Sequence, residues 1–544
     1  MDKFISKNFI TDIIDSDNNT KKYDTRVHTR FPPEPNGYLH IGHAKSIYLN
    51  FEIAKKYSGK FNLRFDDTNP EKENIEYIES IKEDIQWLGY NWDNLYYASD
   101  YFNDLYEYAI KLIENKYAYV DSSPSDVIKK ERGSLTEPGI NSKDRNRTPE
   151  ESLKIFKEMK NGIYEDGKYV LRLKIDMTSP NINMRDPIIY RIKKIRHHRT
   201  ENDWCIYPLY DFTHCISDAI ESITHSLCTL EFEDHKDLYN WIIKKINHKH
   251  NPQQIEFSRL VLEHNLMSKR KLNELVEKKF VSGWNDPRMP TISGIRRRGY
   301  TPSSIKEFCS KIGITKKNST IEIGVLESCI REELNFSAKR IMGVLDPIKI
   351  IITNFSENEF EVVKAAWNPN DLKIGYRDIT ISNEIYIDKS DFMEFPEKGY
   401  FRLAPNIEVR LRHAFNIKFE KLMKNNNGEI EYIECTFDPK SKNIDKGNKV
   451  KGMVHWVDSK NCITAKINIY DRLFTNATPN DLETFNKKSL IIKDNAKIEK
   501  NININNLEER YQFERVGYFI KDIYSKKNEL IYNQIVSLKD SWKK

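Results

Sequence analysis

Cysteine is scarce in this chain, and its spacing excludes two classes of protein. The 544 residues contain seven cysteines, and no two of them form a Cys-x2-Cys pair. An odd number of scattered cysteines argues against a disulfide framework, and the missing pairs argue against a structural zinc site. This usage fits a reducing compartment, so we expect a cytoplasmic protein and assign no metal ligands.

Long apolar runs are also missing. The mean hydropathy is −0.69, and no window approaches the ~18 apolar residues that a membrane-spanning helix requires. The opening MDKFISKNFITDIIDSD has no apolar core followed by a small-residue cleavage site, so it does not predict a signal peptide. Its apolar residues instead predict a short amphipathic helix; they are Phe4, Phe9, Ile10, Ile13 and Ile14. We expect no membrane partner.

The composition that is present is that of a globular protein of several domains. Apolar residues make up 39% and charged residues 31%, while glycine and proline number 20 each. These values exclude collagen-like and low-complexity architectures. At roughly 150 residues per domain, the length predicts about three to five domains. The net charge of +6 is a mild basic excess, which permits a polyanionic partner without requiring one.

The pattern of apolar residues predicts an α/β first half and an all-β end. Residues 25–95 predict strand, loop, helix and strand, the opening of a nucleotide-binding α/β unit, followed by a helix that ends at Gly89. Residues 100–200 resemble an insertion, after which the first pattern resumes. Residues 238–345 are mostly helical, and short alternating runs from about residue 346 predict sandwiches or barrels, with room for two.

The tetrapeptide His40-Ile41-Gly42-His43 is the sharpest local signal. Two imidazoles three residues apart at a helix start lie on the same side of the helix, whose N-terminus favours phosphate. Gly37 eases the preceding turn, and Gly42 lets a ligand approach the backbone. The pattern predicts a site in which donors meet charge that develops on a phosphorus atom. For this motif alone, a metal pair or two surface histidines are the alternatives.

A second signal is the basic segment Met267-Ser268-Lys269-Arg270-Lys271, which predicts a mobile loop before a helix. Lys269 could reach the β- and γ-phosphates of a nucleotide as a point charge. A solvated basic turn is the alternative for this segment alone. The two signals in this order, about 220 residues apart, are far more specific together than either is alone.

On these residues the chain resembles the class I aminoacyl-tRNA synthetases. PPEPNGYLHIGHAKS and MSKRK are similar to the two signatures of that class. LRFDDTNPEKE, CIYPLYDFTH, DPRMPTISGIRRRGY and KGMVHWV resemble the glutaminyl/glutamyl branch, and SLCTLEF and CISDAIE resemble its bacterial glutaminyl type. The resemblance runs from about residue 25 to 520.

The resemblance implies a two-step reaction. Glutamine attacks the α-phosphate of ATP to give glutaminyl-adenylate and pyrophosphate, and the 2′-OH of the 3′-terminal adenosine of glutamine tRNA then takes the acyl group. His40 and His43 would stabilise the transition state at the α-phosphate, and Lys269 the departing pyrophosphate, with Mg²⁺ as counter-charge. The implied ATP site comprises Glu34, Pro35, Asn36, His40, Ile41, Gly42, His43, Ala44, Lys45, Ser46, Thr229, Arg259, Leu260, Met267, Ser268 and Lys269.

The resemblance also implies a site for L-glutamine. Asp66 and Tyr210 would bind the α-ammonium, although an Asx-turn cap is an alternative for Asp66. The candidates near the side-chain end are Arg30, Tyr210, His214, Gln254 and Cys228. Glutamyl enzymes tend to carry Arg where Cys228 stands, and a site without a cation there leaves the carboxylate of glutamate unpaired. A buried core histidine and a small buried hydrophobe are the alternatives for His214 and Cys228.

For tRNA, the resemblance implies contacts at both ends of the molecule. Leu135 would act as an apolar wedge at the first acceptor-stem pair, and Asp234 would read another pair from the minor groove. Anticodon bases would be read as single-stranded bases, by Arg340, Arg402, Arg410, Gln512 and Arg515. Taken singly, Leu135 fits an ordinary loop hydrophobe and each arginine a surface charge. Gly399 stands where bacterial relatives often have Gln, which puts one anticodon contact in doubt.

The expected architecture is a multidomain α/β and all-β fold. A Rossmann-like catalytic domain would occupy residues 1–99 and 209–262, with an inserted acceptor-stem-binding domain at 100–208. A helical subdomain with the MSK loop would follow at 263–339, and two anticodon-binding β-barrels at 340–544. We expect a monomer.

Three alternatives stay open from the sequence. A glutamyl-tRNA synthetase of the archaeal or eukaryotic type shares the β-rich anticodon region, whereas that region is helical in the bacterial glutamyl enzymes; one enzyme charging both tRNAs is a variant of this alternative. An RNA-binding protein with a decayed catalytic site would not need both intact signatures. A small-molecule nucleotidyltransferase would leave the β-rich end without a role.

Overall fold

Two units divide the chain, and the computed structural model describes residues 5–442 and 450–539. The first unit comprises Met1–Val261 and Cys309–Ile321, and the second comprises Leu262–Phe308 and Glu322–Lys544. The finer domain boundaries expected from the sequence stay predictions, and Phe4 lies outside the described residues. No helix in the described part of the chain is both long enough and apolar enough to span a membrane.

Helices and strands alternate over the first half of the chain. In order they are α1 (Phe9–Asn19), β1 (His28–Phe31), α2 (Ile41–Lys56), β2 (Lys60–Phe65), α3 (Ile75–Trp87), β3 (Asn94–Tyr97), α4 (Phe102–Glu114), β4 (Ala118–Asp121), α5 (Ser125–Glu131), α6 (Pro149–Lys160), β5 (Val170–Leu173), β6 (Ile188–Ile192), β7 (Ile206–Pro208), α7 (Tyr210–Ile220), β8 (His225–Thr229), α8 (Lys236–Ile246), β9 (Gln253–Phe257) and β10 (Leu260–Leu262).

Helices and then strands dominate the rest. They are α9 (Lys269–Glu277), α10 (Ile292–Arg298), α11 (Pro302–Ile312), β11 (Ser319–Ile321), α12 (Ile323–Ser337), β12 (Lys339–Ile341), β13 (Gly343–Val344), β14 (Pro347–Ile352), β15 (Glu361–Ala366), β16 (Tyr376–Ile381), β17 (Glu384–Asp388), β18 (Glu408–Leu411), β19 (Asn416–Lys424), β20 (Ile430–Asp438), β21 (Gly452–Val454), β22 (Trp456–Asp458), β23 (Cys462–Tyr470), β24 (Leu490–Glu499), β25 (Arg510–Phe513), β26 (Gly517–Lys521) and β27 (Ile531–Ser537).

Parallel strands form the centre of the first unit. β1 pairs with β2, β2 with β3, and β8 with β9, all in parallel. His28 and Thr224 join the two groups: the His28 N–H donates to Thr224 Oγ1 at 2.8 Å, and the Thr224 N–H donates to His28 O at 3.1 Å. β1 and β8 are therefore adjacent, with the set β3-β2-β1 on one side and β8-β9 on the other, and a switch point lies between them. Ligands bind at such a point in open α/β sheets, beyond the carboxyl ends of the strands.

An antiparallel sheet interrupts this arrangement. Its order is β4-β5-β6-β7, and it packs with α4, α6, α7 and α8 around one apolar core. Phe156 and Tyr190 are fully buried there, with ring centroids 5.3 Å apart. Residues of the predicted insertion thus form a folded layer of sheet and helix that shares its core with α7 and α8, and the boundary expected at residue 208 stays a prediction.

Two seven-stranded sheets dominate the second unit. One has the order β21-β18-β19-β20-β14-β17-β22, and the other β12-β25-β26-β27-β23-β24-β13. Each sheet curls into a nearly closed barrel around its own apolar core; Trp456 is fully buried in the first, and Phe513 in the second. The predicted pair of barrels is confirmed.

The structure differs from the sequence predictions at some element ends. β1 begins at His28 instead of Thr25, because Asp24 and Thr25 have φ of 54° and 62°, which a strand does not accommodate. α9 begins at Lys269, so the basic residues expected in a mobile loop form the first helical turn. The helices α5, α6 and α10 were not predicted from the sequence. For α6 a sequence signal does exist, since Thr148 and Glu151 form a capping box.

Candidate functional site

His40 and His43 lie at the N-terminus of α2 with fixed ring orientations. His40 is the N-cap residue, and its Nδ1 accepts the Gly42 N–H at 3.1 Å. The His40 N–H in turn donates to His43 Nδ1 at 3.1 Å. A neutral imidazole that accepts at Nδ1 carries its proton on Nε2. Both rings are therefore arranged to donate Nε2–H to an anion at this helix end.

The charge state of these rings follows from their surroundings. Burial lowers the pKa of His43 to about 4, and burial together with His43 lowers the pKa of His40 well below its ordinary value. The two ring centroids are 3.9 Å apart. Neither ring is charged at neutral pH, so the site offers two neutral donors and the partial positive charge of the helix N-terminus.

The other residues expected in the ATP site have different surroundings. Pro35, Ile41 and Ala44 are buried, Glu34 is exposed, and Asn36, Gly42 and Ser46 are half-buried. Lys45 is buried, and its Nζ donates to the main-chain oxygen of Ser258 at 2.9 Å. Burial lowers the pKa of Lys45. Lys45 therefore ties α2 to the segment that follows β9.

Thr229, Arg259 and Leu260 lie near the carboxyl ends of β8 and β9. Thr229 ends β8 and precedes a 3-10 turn, Leu230–His235. The Arg259 guanidinium is exposed and donates to Glu231 at 2.5 Å, while Leu260 is buried. The first unit thus gathers most of the expected ATP residues around the ends of its central strands.

The expected pyrophosphate residue belongs to the second unit. Met267 is half-buried, and Ser268 and Lys269 are exposed. Ser268 is the N-cap residue of α9 and Lys269 its first helical residue. Lys269 therefore lies at the N-terminus of a helix, and not in the loop that the sequence predicted.

Arg30 and His214, expected near the glutamine side chain, belong to one buried network. Arg30 Nε donates to Asp218 Oδ1 at 3.0 Å, and Arg30 Nη2 lies 2.9 Å from His214 Nε2. Arg64 Nη2 lies 3.2 Å from His214 Nδ1 on the other side of the ring. Burial and the two arginines hold the pKa of His214 well below its ordinary value, although Asp218 acts in the opposite direction.

Asp66 and Tyr210 flank this network. Asp66 follows β2 directly, and its N–H donates to Pro33 O at 3.0 Å, which ties the strand end to the loop before α2. Burial raises the pKa of Asp66 to about 7 although Arg64 opposes the rise. Tyr210 stacks on His214 with ring centroids 4.8 Å apart, and burial raises its pKa well above the ordinary value.

Gln254 and Cys228 line the adjacent strands. Gln254 is buried, and its Nε2 donates to Phe232 O at 2.9 Å and to Glu256 Oε1 at 3.1 Å. Cys228 is also buried, and this burial raises the pKa of its thiol to about 12. The thiol therefore stays neutral. Arg30 and Lys236 are the basic groups whose charges act on it, and Lys236 Nζ lies 3.2 Å from Glu256, the residue that also accepts from Gln254.

A grouping of possible metal ligands lies next to Asp66. One ligand atom each of Asp67, His197 and His198 falls within 4.8 Å of the others. However, His197 Nδ1 accepts the N–H groups of Arg199 and Thr200, and its Nε2 lies 2.8 Å from the main-chain oxygen of Asp67. Both ring nitrogens of His197 are thus engaged in hydrogen bonds, so the cluster is best described as a polar network between β2 and the insertion.

Leu135 is displayed on a braced loop. Its side chain is 82% exposed. Arg185 is 2% exposed, and its Nη1 donates to the main-chain oxygens of Arg132, Ser134 and Glu137 at 2.7, 2.9 and 2.8 Å. One buried guanidinium therefore fixes the backbone on both sides of an exposed apolar side chain.

Hydrogen bonds to its main-chain oxygen likewise hold Asp234 in place. Its carboxylate is exposed, and its main-chain oxygen accepts the side-chain amides of Asn181 and Asn183 at 2.8 and 3.2 Å. The next residue, His235, lies 2.6 Å from Asp211 through Nδ1, and this contact raises the pKa of His235. The exposed acid is thus held by the insertion and by α7.

The structure brings four of the five expected anticodon residues together in pairs. Arg402 and Arg515 both bind the buried Asp391, at 2.7 and 2.8 Å. They line a cavity of about 610 Å³ together with His455 and Lys493. Arg340 and Gln512 are directly opposite each other on β12 and β25.

The fifth residue and the doubtful position stand apart from these pairs. Arg410 donates to the main-chain oxygens of Ser441 and Ala414 at 2.8 and 2.9 Å. Gly399 has a φ of +93°, and a Cβ there would meet no atom within 4 Å. A side chain at Gly399 would have space but would strain the backbone.

The sequence motifs did not identify several residues that hold the candidate site residues in place. Asp218 binds Arg30, Arg64 contacts His214, Arg185 bonds the backbone on either side of Leu135, and Asp391 binds Arg515. The partners in these contacts lie between 48 and 188 residues apart in the sequence. Asp218 does carry a local signal, since it lies one helical turn after His214 on α7. No comparable signal marks the other three.

Comparison with known proteins assigns these features to one family. The model described as "tRNA synthetases class I (E and Q), catalytic domain" matches residues 26–336. The two described as anti-codon binding domains of the same family match residues 338–438 and 453–522.

Curated relatives cover almost the whole chain. A "Glutamine--tRNA ligase" of Proteus mirabilis (strain HI4320) is 54% identical over 99% of this chain and 98% of its own length. One of Enterobacter sp. (strain 638) is 53% identical over the same shares. A solved glutamate tRNA ligase from Elizabethkingia meningosepticum CCUG26117 matches 57% of this chain and 70% of its own at 21% identity, with a TM-score of 0.42. On the family models and the curated relatives, the chain belongs to the class I tRNA synthetases of the E and Q type.

Proposed function

We propose that this chain is a glutamine–tRNA ligase that activates glutamine with ATP and transfers it to glutamine tRNA. The observation that carries the proposal is the pair of neutral Nε2–H donors of His40 and His43 at the N-terminus of α2. The curated relatives at 53–54% identity over 99% of the chain support the choice of glutamine. The buried polar network around Arg30 and His214 supports an amino-acid site, because its groups match the polar chemistry of glutamine.

In the first step, a carboxylate oxygen of glutamine attacks the α-phosphorus of ATP. The bond between that phosphorus and the oxygen bridging to the β-phosphate breaks, and pyrophosphate leaves. His40 and His43 donate to the α-phosphate oxygens as negative charge grows on them. Lys269 neutralises the leaving pyrophosphate. Mg²⁺ bound to the phosphates would supply further counter-charge, and no carboxylate of this chain is assigned to it.

Asp66 and Tyr210 would hold the α-ammonium of glutamine. A buried carboxylate with a pKa near 7 loses its proton readily when a cation arrives, because the cation lowers that pKa again. Arg30 and Gln254 then lie towards the amide end of the side chain. No enzyme nucleophile takes part, since positioning and electrostatic stabilisation are sufficient for this chemistry.

In the second step, the 2′-OH of the terminal adenosine attacks the carbonyl carbon of the adenylate, and AMP leaves. Leu135 would wedge into the first acceptor-stem pair, and Asp234 would read a pair in the minor groove. The arginines of the second unit would read the splayed anticodon bases. We propose that the enzyme is monomeric and works in the cytoplasm.

The experiment that tests this proposal is aminoacylation of total tRNA with labelled glutamine and, separately, labelled glutamate. Charging with glutamine alone supports the proposal. Robust charging with glutamate and none with glutamine would overturn it in favour of a glutamyl enzyme. Light scattering of the purified protein would test the monomer separately.

A further inference from the structure

His235, the residue after Asp234, carries an imidazole in a fixed orientation. It ends the 3-10 turn Leu230–His235, and 31% of its side chain is exposed. Its Nδ1 lies 2.6 Å from Asp211 Oδ1. The ring of Phe232 packs edge-to-face with the imidazole, with centroids 5.8 Å apart. Together the two contacts hold the plane of the imidazole while part of it stays at the surface.

This orientation leaves the outer nitrogen of His235 for a ligand. A carboxylate only accepts hydrogen bonds, so Nδ1 carries the hydrogen of the contact with Asp211. Among the residues that the structure describes, none bonds to Nε2, and Nε2 is not buried. In the protonated ring Nε2 carries a hydrogen as well, whereas in this neutral tautomer it does not. The charge of His235 therefore decides whether Nε2 donates or accepts.

The neighbouring charges favour the protonated ring. The hydrogen bond to Asp211 raises the pKa of His235; burial opposes the rise, and the negative charges of Asp211 and Asp234 add to it. Arg132 acts in the opposite direction. Asp211 lies in the first turn of α7, where the helix N-terminus stabilises a carboxylate. Asp211 therefore keeps a donor on Nε2 up to a higher pH than a solvated histidine would.

The turn that holds Asp234 also holds the loop of Leu135. Asn183 in this turn donates to the main-chain oxygen of Asp234 at 3.2 Å. The main-chain oxygen of the preceding Ile182 accepts Arg132 Nη2 at 2.9 Å, and Arg132 leads into the loop that displays Leu135. The two side chains expected at the acceptor stem are thus braced on one short segment, with His235 beside them.

An acceptor next to a donor matches one kind of base pair in the minor groove of RNA. A G·C pair presents the N2 amino group of guanine as a donor beside the acceptors guanine N3 and cytosine O2, and the ribose 2′-OH groups lie along the same groove. The carboxylate of Asp234 can accept from the amino group. Nε2–H of His235, on the next residue, can donate to an acceptor beside it.

We propose that His235 is a second acceptor-stem contact, whose protonated imidazole donates Nε2–H to a minor-groove acceptor next to the group that Asp234 binds. The proposal rests on the proposed function and deepens it by one further tRNA-binding residue. Asp211 acts through His235 and is a positioning residue.

The test measures the dissociation constant of glutamine tRNA from the full-length enzyme at about pH 6 and about pH 8.5, on either side of the ordinary range for histidine. Wild type should bind about tenfold more tightly at the lower pH, because a charged donor is then available. His235→Phe keeps a ring against Phe232 and removes both nitrogens. Its affinity should match that of wild type at high pH and change little with pH. The same pH dependence in both proteins would overturn the proposal.

Asp211→Asn tests the positioning role. It keeps the size of the side chain but removes the charge that favours the protonated ring, so the fall in affinity should move to lower pH. The midpoint of the pH profile is a readout that a merely structural role of Asp211 would not move. An unchanged midpoint would overturn the pairing with Asp211 as the source of the donor.

His250→Phe is the matched control. His250 is another half-buried histidine of the first unit, but it follows α8 whereas His235 precedes it. The affinity of this variant should stay within about threefold of wild type at each pH. A profile as flat as that of His235→Phe would show that the pH dependence does not belong to His235, and would overturn the proposal.

The salt dependence separates a minor-groove contact from a phosphate contact. Loss of one phosphate contact lowers the salt slope by about one, so His235→Phe should keep the wild-type slope at the lower pH. A slope reduced by that amount would place His235 on a phosphate and overturn the minor-groove assignment.

His235→Gln covers the outcome that His235→Phe fails to fold in a thermal melt. Its amide donates at every pH, so its affinity should vary less than about threefold between the two pH values. A pH dependence like that of wild type would overturn the proposal. Charging by the wild type separates the two levels: no charging with glutamine refutes the proposed function, whereas a glutamine-charging enzyme with unaltered profiles in the His235 variants refutes only the role of His235.

Discussion

The backbone N–H of His40 donates to Nδ1 of His43 across 3.1 Å, so the N-cap residue of α2 fixes the tautomer of the second imidazole. The Gly42 N–H fixes the ring of His40 in the same way. Each ring thus stabilises the helix end with one nitrogen and leaves the other nitrogen to donate. The two roles of His40, capping and donation, can be separated by substitution.

His40→Asn should keep the capping role of His40 and remove its donor role. The asparagine Oδ1 can replace Nδ1 as the N-cap acceptor, but nothing replaces the Nε2–H donor. We expect adenylate formation to fall by about 10²–10³-fold with little change in the thermal melt. ATP–pyrophosphate exchange with tRNA present measures the first quantity.

His40→Gln is the complementary variant, because its amide reaches towards the position of Nε2 but does not cap the helix. We expect it to lose about 1 kcal/mol of stability and to retain more activity than His40→Asn. The reverse order of activities would show that His40 contributes by capping and not by donation.

The pKa of Asp66 predicts a pH dependence of glutamine use. Burial raises this pKa to about 7, so the free enzyme carries a neutral Asp66 below that pH and a carboxylate above it. Because the α-ammonium needs the carboxylate, kcat/KM for glutamine should rise with pH through this region and level off above it.

The KM for ATP supplies the internal control for this prediction. His40 and His43 stay neutral throughout, since their pKa values are lowered, so the KM for ATP should not follow the same curve. A flat glutamine profile between about pH 6 and 8 would remove Asp66 as the ammonium ligand.

Some of these features could be predicted from the sequence and others could not. The imidazole pair at a helix start and the order of α/β and β segments were predictable because each depends on a local pattern of a few residues. The role of Leu135 came from the family resemblance and stays a prediction. Asp218 was not predictable, since its partner Arg30 lies 188 residues away and the contact exists only once β1 and α7 pack together. Asp391 likewise acquires its role from two arginines, one of them 124 residues distant.

Lys269→Ala tests the second signature. Lys269 is exposed in the first turn of α9, where a cation opposes the helix dipole, so its removal should not lower the melting temperature. We expect the rate of adenylate formation to fall about 10²-fold or more, because the charge stabilises the transition state. Arg270→Ala changes the neighbouring exposed cation and should stay within about threefold of wild type. Equal losses in both variants would contradict a specific role for Lys269.

Arg185→Lys tests the brace around Leu135. Arg185 bonds the three carbonyls through Nη1 while its Nε donates to Ser179 O at 2.6 Å. A lysine has no second anchoring nitrogen and no planar group to hold its ammonium in that position, so the loop should loosen while the charge is kept. We expect slower transfer to tRNA in single turnovers, with a smaller effect on adenylate formation.

Leu135→Ala provides the comparison for this variant. If Arg185 acts through Leu135, the double variant should be no slower than the slower single variant, because effects within one unit are not additive. Additive losses would separate the two residues, and a low melting temperature of Arg185→Lys would indicate a wider structural effect.

The pairing of Arg402 and Arg515 on Asp391 predicts a base-reading role for Arg402. The shared carboxylate holds both guanidinium groups at the edge of one cavity, so each is oriented before tRNA binds. Phosphate contacts determine the salt dependence of binding, whereas base contacts determine which tRNA is chosen. Arg402→Ala should therefore weaken binding of glutamine tRNA by about 1–3 kcal/mol and leave the salt slope unchanged.

Lys424→Ala is the control, because it removes another exposed cation of the same barrel. It should weaken the binding of cognate and unrelated tRNA equally or not at all. Dissociation constants for both tRNAs at several salt concentrations measure the difference, and equal weakening by Arg402→Ala would place Arg402 among the phosphate contacts.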